Sequence, residues 1–471
     1  MNMKTIKIFL FVTLTVTFSC SDFLEENPKS TANSQSVLSS VAGFDAVLVG
    51  AYSNLTGWGK MYTWDVLKLN ESFVDFQYAP QAPDISNGNI ISSDYPVRFA
   101  WENLYKIISS ANLVIVNINR ISEDPNRDRI EGEAKFLRAW AYFNLVQFFG
   151  DVPLTLEPIN DPSNFQPTRT AQPEVYELII SDLQAAESLM GDDAPQPSRV
   201  TKWVAKAYLA KVYLTMAGNP NNIDTFNGTN TYELALEKAR EVINSNKFSI
   251  DVSYKDVFLS NGDPETIWEI RSPDLPNYNH YNFLSQAIFT PTSDFINSFD
   301  PTDIRGSRWG IRTSYDYNGT TYTFPLPTYM KFVDTVQYAK GQQFQSALAV
   351  TVIRLADVYL MASEADNEVN NGPSAEAYNW INLVRDRAGI SDLVNLSESD
   401  FREAVFLERR KELYGEGFSW FDLKRRNKFN LLNNTGRPFV TPIDVHLNYY
   451  PIYNAETINN PNVTQNPGWP G

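Results

Sequence analysis

Glu408, Arg409, Arg410, Glu412, Glu416 and Asp422 stand close together in the stretch "ERRKELYGEGFSWFDLKRR", residues 408–426. Two carboxylates at such spacing could serve as acid and nucleophile on a glycosidic bond. Yet each acid here has an arginine or lysine within one helical turn, the pattern of ion pairs that tie helices together. The block is expected to be structural, and no catalytic residue is assigned.

Aromatic rings offer a second chemistry. A sugar ring has apolar C–H faces and a rim of hydroxyls. A site for it needs flat aromatic platforms with amide, carboxylate or guanidinium groups around them, and Trp and Tyr supply both a face and a polar tip. One zone, Gly57 to Tyr95, carries Trp58, Tyr62, Trp64 and Tyr78 beside Asp65, Asn70, Glu71 and Asp75. A second, Trp268 to Phe332, has 14 aromatics in 65 residues against 13% for the whole chain. It carries Tyr278, Tyr281, Trp309, Tyr315, Tyr317 and Tyr322 beside Asn279, Arg308, Arg312 and Asn318. Any one ring could be packing. The expectation is that at least one of Trp58, Trp64, Tyr281 and Trp309 stacks on a ligand.

Other chemistries are excluded or weak. The two histidines, His280 and His446, lie far apart and lack the spacing of a zinc or iron site, so neither a metal nor a cofactor is expected. "SNGD" at 260–263 would bind calcium only with more oxygen ligands around it, and a plain turn is expected. A formal net charge of −16 opposes binding to phosphate backbones, which excludes nucleic acid as a partner.

Cys20, the only cysteine, rules out an intramolecular disulfide. It follows a basic start (Lys4, Lys7), an apolar run and Ser19, which reads as a signal peptide over residues 1–19 that ends at a lipidated cysteine. The apolar run is shorter than the roughly 20 residues a membrane span needs. Residues 20–36, with Asp22, Glu25 and Glu26, read as an extended polar tether that lifts the rest off the bilayer.

The elements that must position these groups are mostly helical. Trp101, Leu104, Tyr105, Ile108, Ala111, Ile115 and Ile118 recur at helical steps between Arg98 and Ile121. Further helices are expected over 131–149, 173–190, 200–218, 232–245, 353–365 and 375–389. Large and small apolar residues alternate in them, as in tetratricopeptide-type hairpins. The spacing between pairs is irregular. The two aromatic zones lack a helical period and are expected to form loops and short strands. The tail after Phe439 is expected to wrap over the helices.

Several segments together resemble the SusD/RagB family of nutrient-binding outer-membrane lipoproteins. They are Cys20 with "DFLEENP", "WENLYKIISSANLVI", "EGEAKFLRAWAYFNLVQFFGDVPL", "IRLADVYLMASEA", "WINLVRDRAGI", the charged block, and "YPIYNAETINNPNVTQNPGW". The resemblance implies an all-α dominated single large domain over residues 37–471. It would hold about four tetratricopeptide-like hairpins and an irregular insertion at about 257–340. It also implies a surface protein that binds oligosaccharides, or for some members peptides, without cutting them, and hands them to a TonB-dependent SusC-like transporter. The alternatives left open are a surface glycoside hydrolase and a helical-repeat scaffold that binds only proteins.

Overall fold

The computed structural model describes residues 37–57, 59–158, 165–250, 253–271, 289–342, 346, 348–434 and 448–470. Its α-helices of six residues or more are α1 (Val41–Tyr52), α2 (Trp64–Glu71), α3 (Tyr95–Asn117), α4 (Arg127–Phe149), α5 (Gln172–Leu189), α6 (Lys202–Ala217), α7 (Thr231–Ile243), α8 (Leu355–Asn370), α9 (Ala375–Ala388), α10 (Glu398–Leu413), α11 (Ser419–Arg425) and α12 (Asn454–Asn459). Helices α3 and α4, α5 and α6, and α7 and α8 pack as hairpins, and α9 and α10 both lie on α8. Residues 244–354 are therefore inserted inside a hairpin, since α7 and α8 touch although the chain leaves the bundle between them. The expected helix-rich fold with an inserted irregular region is what the chain adopts.

Small and large side chains alternate because the helices approach closely. A Cβ on Gly132 of α4 would stand 2.7 Å from Met190 Cγ at the end of α5. Between the same helices Arg138 grips Asp182 through two hydrogen bonds of 2.7 and 2.9 Å, both side chains being buried. Such a fork-to-carboxylate pair repays its desolvation only with this geometry.

Two expectations are corrected. The zone from Gly57 to Tyr95 is not all irregular, because it contains α2. Of the eight residues in α2, the seven after Trp64 are all buried, Asp65 and Lys68 included, so no amphipathic stripe exists to be read. The helix expected from residue 353 starts two residues later, at Leu355, because Ile353 and Arg354 complete a strand.

The strands of the insertion, with one from the first aromatic zone that pairs with them, are β1 (Gln77–Tyr78), β2 (Thr266–Ile270), β3 (Thr290–Pro291), β4 (Ile311–Tyr317), β5 (Thr320–Tyr329) and β6 (Val350–Arg354). All pair antiparallel: β1 with β3, β2 with β6, β4 with β5. Trp268 of β2 enters the helical core, edge-on to Phe136 (5.5 Å between centroids) and Trp140 (6.3 Å) of α4. Its indole N–H donates to the Ser198 carbonyl at 2.9 Å.

A buried ionic cluster bolts the insertion to the bundle. Arg305 donates to Asp303 (2.8 and 2.9 Å) and, through Nη1, to Glu408 (2.5 Å) and Glu412 (3.0 Å) of α10. Arg354, at the end of β6, donates to Glu265, Glu412 and Glu416 at 2.5–2.8 Å. Lys331, just past β5, donates to Glu416 at 2.7 Å, and Arg387 of α9 meets Glu265 and Glu412. The charged block is thus structural, as its sequence suggests.

The backbone joining this cluster to the hairpin admits only glycine at position 310. A Cβ on Gly310 would lie 1.9 Å from the Arg305 carbonyl oxygen and 2.5 Å from the Tyr414 hydroxyl. Gly310→Ala is expected to unseat the hairpin and cost about 1–3 kcal/mol, the usual range for overpacking. A lowered urea midpoint and faster tryptic cleavage at Arg312 would register it. Wild-type values for both would refute the claim.

The described part of the tail, residues 448–470, does wrap over the helices. Tyr450 stacks on Trp420 (4.5 Å, 20°) and its hydroxyl donates to the Leu69 carbonyl at 2.6 Å. Asn466 donates to the Phe149 and Tyr450 carbonyls.

Candidate functional site

The β4–β5 hairpin turns on Asn318 (φ 49°) and Gly319 (φ 77°), the two-residue left-handed turn whose twist matches paired strands. Alternation along the strands puts Tyr315, Tyr317, Tyr322 and Phe324 on one face. Tyr315 stands directly across from Tyr322, with rings 5.3 Å apart and nearly parallel at 17°. The helical turn Thr335–Ala339 covers part of this face, with Tyr338 edge-on to Tyr315 and Phe324.

Polar tips separate packing rings from open ones. The Tyr315 hydroxyl donates to the Thr335 carbonyl at 3.1 Å, and Tyr322 donates to Ala339 at 3.4 Å. Tyr315 is buried at 8% exposure, and burial raises its phenol well above the ordinary value. Its expected role as a ligand platform is corrected to core packing of the hairpin. Trp309 and Tyr317 are half-buried, and neither the Trp309 indole N–H nor the Tyr317 hydroxyl donates to any described residue. Trp309 leans edge-on against Tyr254 at 5.9 Å. Arg308 and Arg312 lie beside it, Arg308 donating to the Thr302 carbonyl and Arg312 to the Arg308 carbonyl. Each guanidinium has further N–H donors that meet no described residue.

The first aromatic zone contributes Tyr78. Its strand β1 pairs with β3, and β3 lies against β5. Tyr78 is half-buried and its hydroxyl also donates to no described residue. Tyr62 lies elsewhere. Its ring sits 6.1 Å from Trp140, and it hydrogen-bonds Tyr208 beside a cavity of about 50 Å³ inside the bundle, so it is scaffold packing. Trp64 opens α2, but its side chain lies outside the described residues, as do Cys20, Trp58, Tyr278, Tyr281 and Asn279.

The acids expected to surround a sugar in the first zone are spent on the fold. Asp65 pairs with Lys68, and Asp75 with Arg410 at 2.5 Å. Glu71 is fully buried and accepts from the backbone N–H groups of Gly415, Gly417 and Ser419, from the Ser419 hydroxyl and from the Gln77 amide. Gln77 in turn accepts from the Tyr329 hydroxyl at the end of β5. This chain of bonds links α2, β1 and the hairpin, and places Tyr78 relative to the second zone. Sequence reasoning missed it, since nothing in the residue types pairs Glu71 with a turn 344 positions later.

"SNGD" forms a turn. Asn261 accepts from the Ala349 N–H, Gly262 donates to Glu269, and Asp263 accepts from the Glu265 N–H. No group of three or more His, Cys, Asp or Glu side chains suited to a metal occurs among the described residues. None of the described helices is long and apolar enough to cross a membrane.

Comparison with known proteins places the fold among relatives. Residues 286–469 match the model of the SusD family, and residues 22–214 match the model described as starch-binding associating with outer membrane. SusD-like protein P25 of Formosa agariphila is 28% identical, the alignment covering 90% of each chain. The crystal structure of a SusD superfamily protein from Parabacteroides distasonis superposes with a TM-score of 0.81 at 24% identity, covering 93% of this chain and 100% of that one. A laminarin-binding SusD-like protein superposes with a TM-score of 0.73 at 24% identity, covering 90% and 99%.

Proposed function

The chain belongs to the SusD family, and from that premise we propose that it captures oligosaccharides at the cell surface and passes them to a TonB-dependent SusC-like outer-membrane transporter. In this reading Cys20 carries the lipid that anchors it to the outer membrane. The observation that carries the binding role is the set Trp309, Tyr317 and Tyr78. Trp309 and Tyr317 are half-buried with polar tips that meet no described residue, Arg308 and Arg312 lie beside Trp309, and Tyr78 is likewise half-buried on a strand that pairs with β3. A rigid ring that needs no reordering stacks on a sugar face at low entropic cost.

The reading is non-catalytic. Burial pushes the Glu412 carboxyl up, but Arg387, Arg354 and Arg305 overcome it and hold the acid far below the usual range. Such an acid cannot protonate a leaving group near neutral pH. Glu71 does sit near neutrality, but it is sealed inside the fold among five donors. A glycoside hydrolase would release new reducing ends from starch or laminarin, and none are expected.

Affinity electrophoresis of Trp309→Ala, Tyr317→Ala and Tyr78→Ala in gels containing laminarin or soluble starch tests the site. Trp309→Ala should weaken retention the most. Loss of one well-placed aromatic contact is of order 2 kcal/mol, or about 30-fold in affinity. Unchanged mobility of all three variants in a gel that retards the wild type would overturn the assignment.

A further inference from the structure

A second cleft, of about 460 Å³, opens on elements that share no residue with the hairpin. It lies between the first half of α3, the segment after α4 that includes Phe165 to Pro167, and α12 of the tail. Its volume falls in the range of small-molecule sites, roughly 300–1,000 Å³. Tyr105 and Phe165 line it, together with the edge of the buried Trp101. Tyr105 is half-buried, its hydroxyl tied to the Pro153 carbonyl at 2.9 Å, which fixes the ring plane. Phe165 is 39% exposed, well above what a core phenylalanine shows. The amides of Gln166 and Asn459, the carboxylates of Glu102, Glu157 and Glu456 and the Lys106 ammonium also line it.

The charges select the ligand class. Glu102 is already met by Arg98 at 2.8 Å and Lys106 at 3.5 Å. Glu456 is half-buried; burial raises its carboxyl, and the Glu102 charge adds to that against the opposing Trp101 indole. A second anion would have to sit against these carboxylates and is disfavoured. A polycation would find only part of the acidic charge unclaimed. Two accessible rings with amide and carboxylate acceptors in the same cleft suit hydroxyl donors on an uncharged ring. We infer that this cleft is a second binding site for a neutral oligosaccharide, separate from the hairpin site. The inference rests on the glycan-binding reading for its ligand class but not for its place.

Isothermal titration of the whole soluble chain with maltohexaose and with laminarihexaose tests it, using the double variants Phe165→Ala/Asn459→Ala and Trp309→Ala/Tyr317→Ala. All four positions are at least partly exposed, so folding should be retained. The expected result is two sites per wild-type chain for at least one probe. The cleft pair should remove one site, seen as at least a tenfold affinity loss there, and the hairpin pair should remove the other. Wild-type stoichiometry and affinity in the cleft pair would overturn the cleft and leave the hairpin reading intact. Loss confined to the cleft pair would support the cleft and overturn the hairpin. Tighter binding of oligolysine or oligogalacturonate than of either neutral probe, abolished in the cleft pair, would overturn the neutral class. Wild-type failure to bind either neutral hexamer would overturn both sites as assigned.

Discussion

Glu412→Gln should lower the folding free energy by about 3–5 kcal/mol, the range found when one partner of a buried ion pair is removed. Five acids (Glu265, Asp303, Glu408, Glu412, Glu416) face five bases (Arg305, Lys331, Arg354, Arg385, Arg387) in the cluster. Nine of the ten side chains are no more than 6% exposed, the exception being Arg385 at 17%. Glu412 alone touches three of the arginines, so neutralising it leaves one positive charge uncompensated in a dry interior. Domain stabilities are about 5–15 kcal/mol, so the loss would be a large fraction of the total. Because Arg305 belongs to the insertion and Glu412 to α10, the hairpin should loosen first. Urea denaturation and hydrogen exchange over residues 303–332 would measure this. A midpoint within error of the wild type, with unchanged exchange there, would mean the cluster holds nothing together.

Glu71→Ala should be of similar size, about 3–5 kcal/mol. It strands three backbone N–H groups and the Gln77 amide in the interior, each costing about 1–3 kcal/mol when left unpaired, with some relaxation. The pH dependence is more diagnostic. Burial raises the Glu71 carboxyl from 4.5 to about 7, the donors on Ser419, Gly417 and Gln77 limiting the rise. A folded value above the unfolded one means the group's contribution is fully present below pH 4.5 and is lost as pH rises through 7. The loss amounts to about 3 kcal/mol at 1.36 kcal/mol per unit. Glu364 has the opposite sign. Burial raises it, but Arg425 and Arg426 bring it down to about 2, so its contribution is present above 4.5 and lost as pH falls toward 2. Stability should therefore peak near pH 5 and decline on both sides. In Glu71→Gln the decline between pH 5 and 8 should vanish while the acid limb stays. A wild-type stability curve flat from pH 5 to 8 would contradict a buried carboxyl raised toward neutrality at this position.

Much of the scaffold was legible because its signals are local. The stripe from Trp101 to Ile118 repeats at helical steps, and it marked α3 to within a few residues. The helix starts three residues before Arg98, at Tyr95, with Pro96 in the first turn, where the missing N–H costs nothing. The charged block was legible as ion pairs because each acid has a base one turn away. Short strands are expected in this zone, and "YNGTT" carries the signal of the turn that joins two of them. Asn-Gly between runs rich in tyrosine and threonine is the usual mark of a two-residue turn.

What composition and spacing determined here is the set of helices, the insertion's aromatic character and the structural role of the acids. These follow from periodicities that a chain carries along its own length. Which rings remain open was decided only in three dimensions. Tyr315 and Tyr317 are two residues apart on one strand face, yet a carbonyl at Thr335 consumes the hydroxyl of the first, and no described partner meets the second. Glu71, Gln77 and Tyr329 join α2 to the hairpin across 252 positions between Gln77 and Tyr329 alone. The cleft beside Tyr105 needs three distant segments to close around it. Hydrogen bonding and burial depend on which groups the fold brings within about 3 Å, and that distance is written in no local pattern.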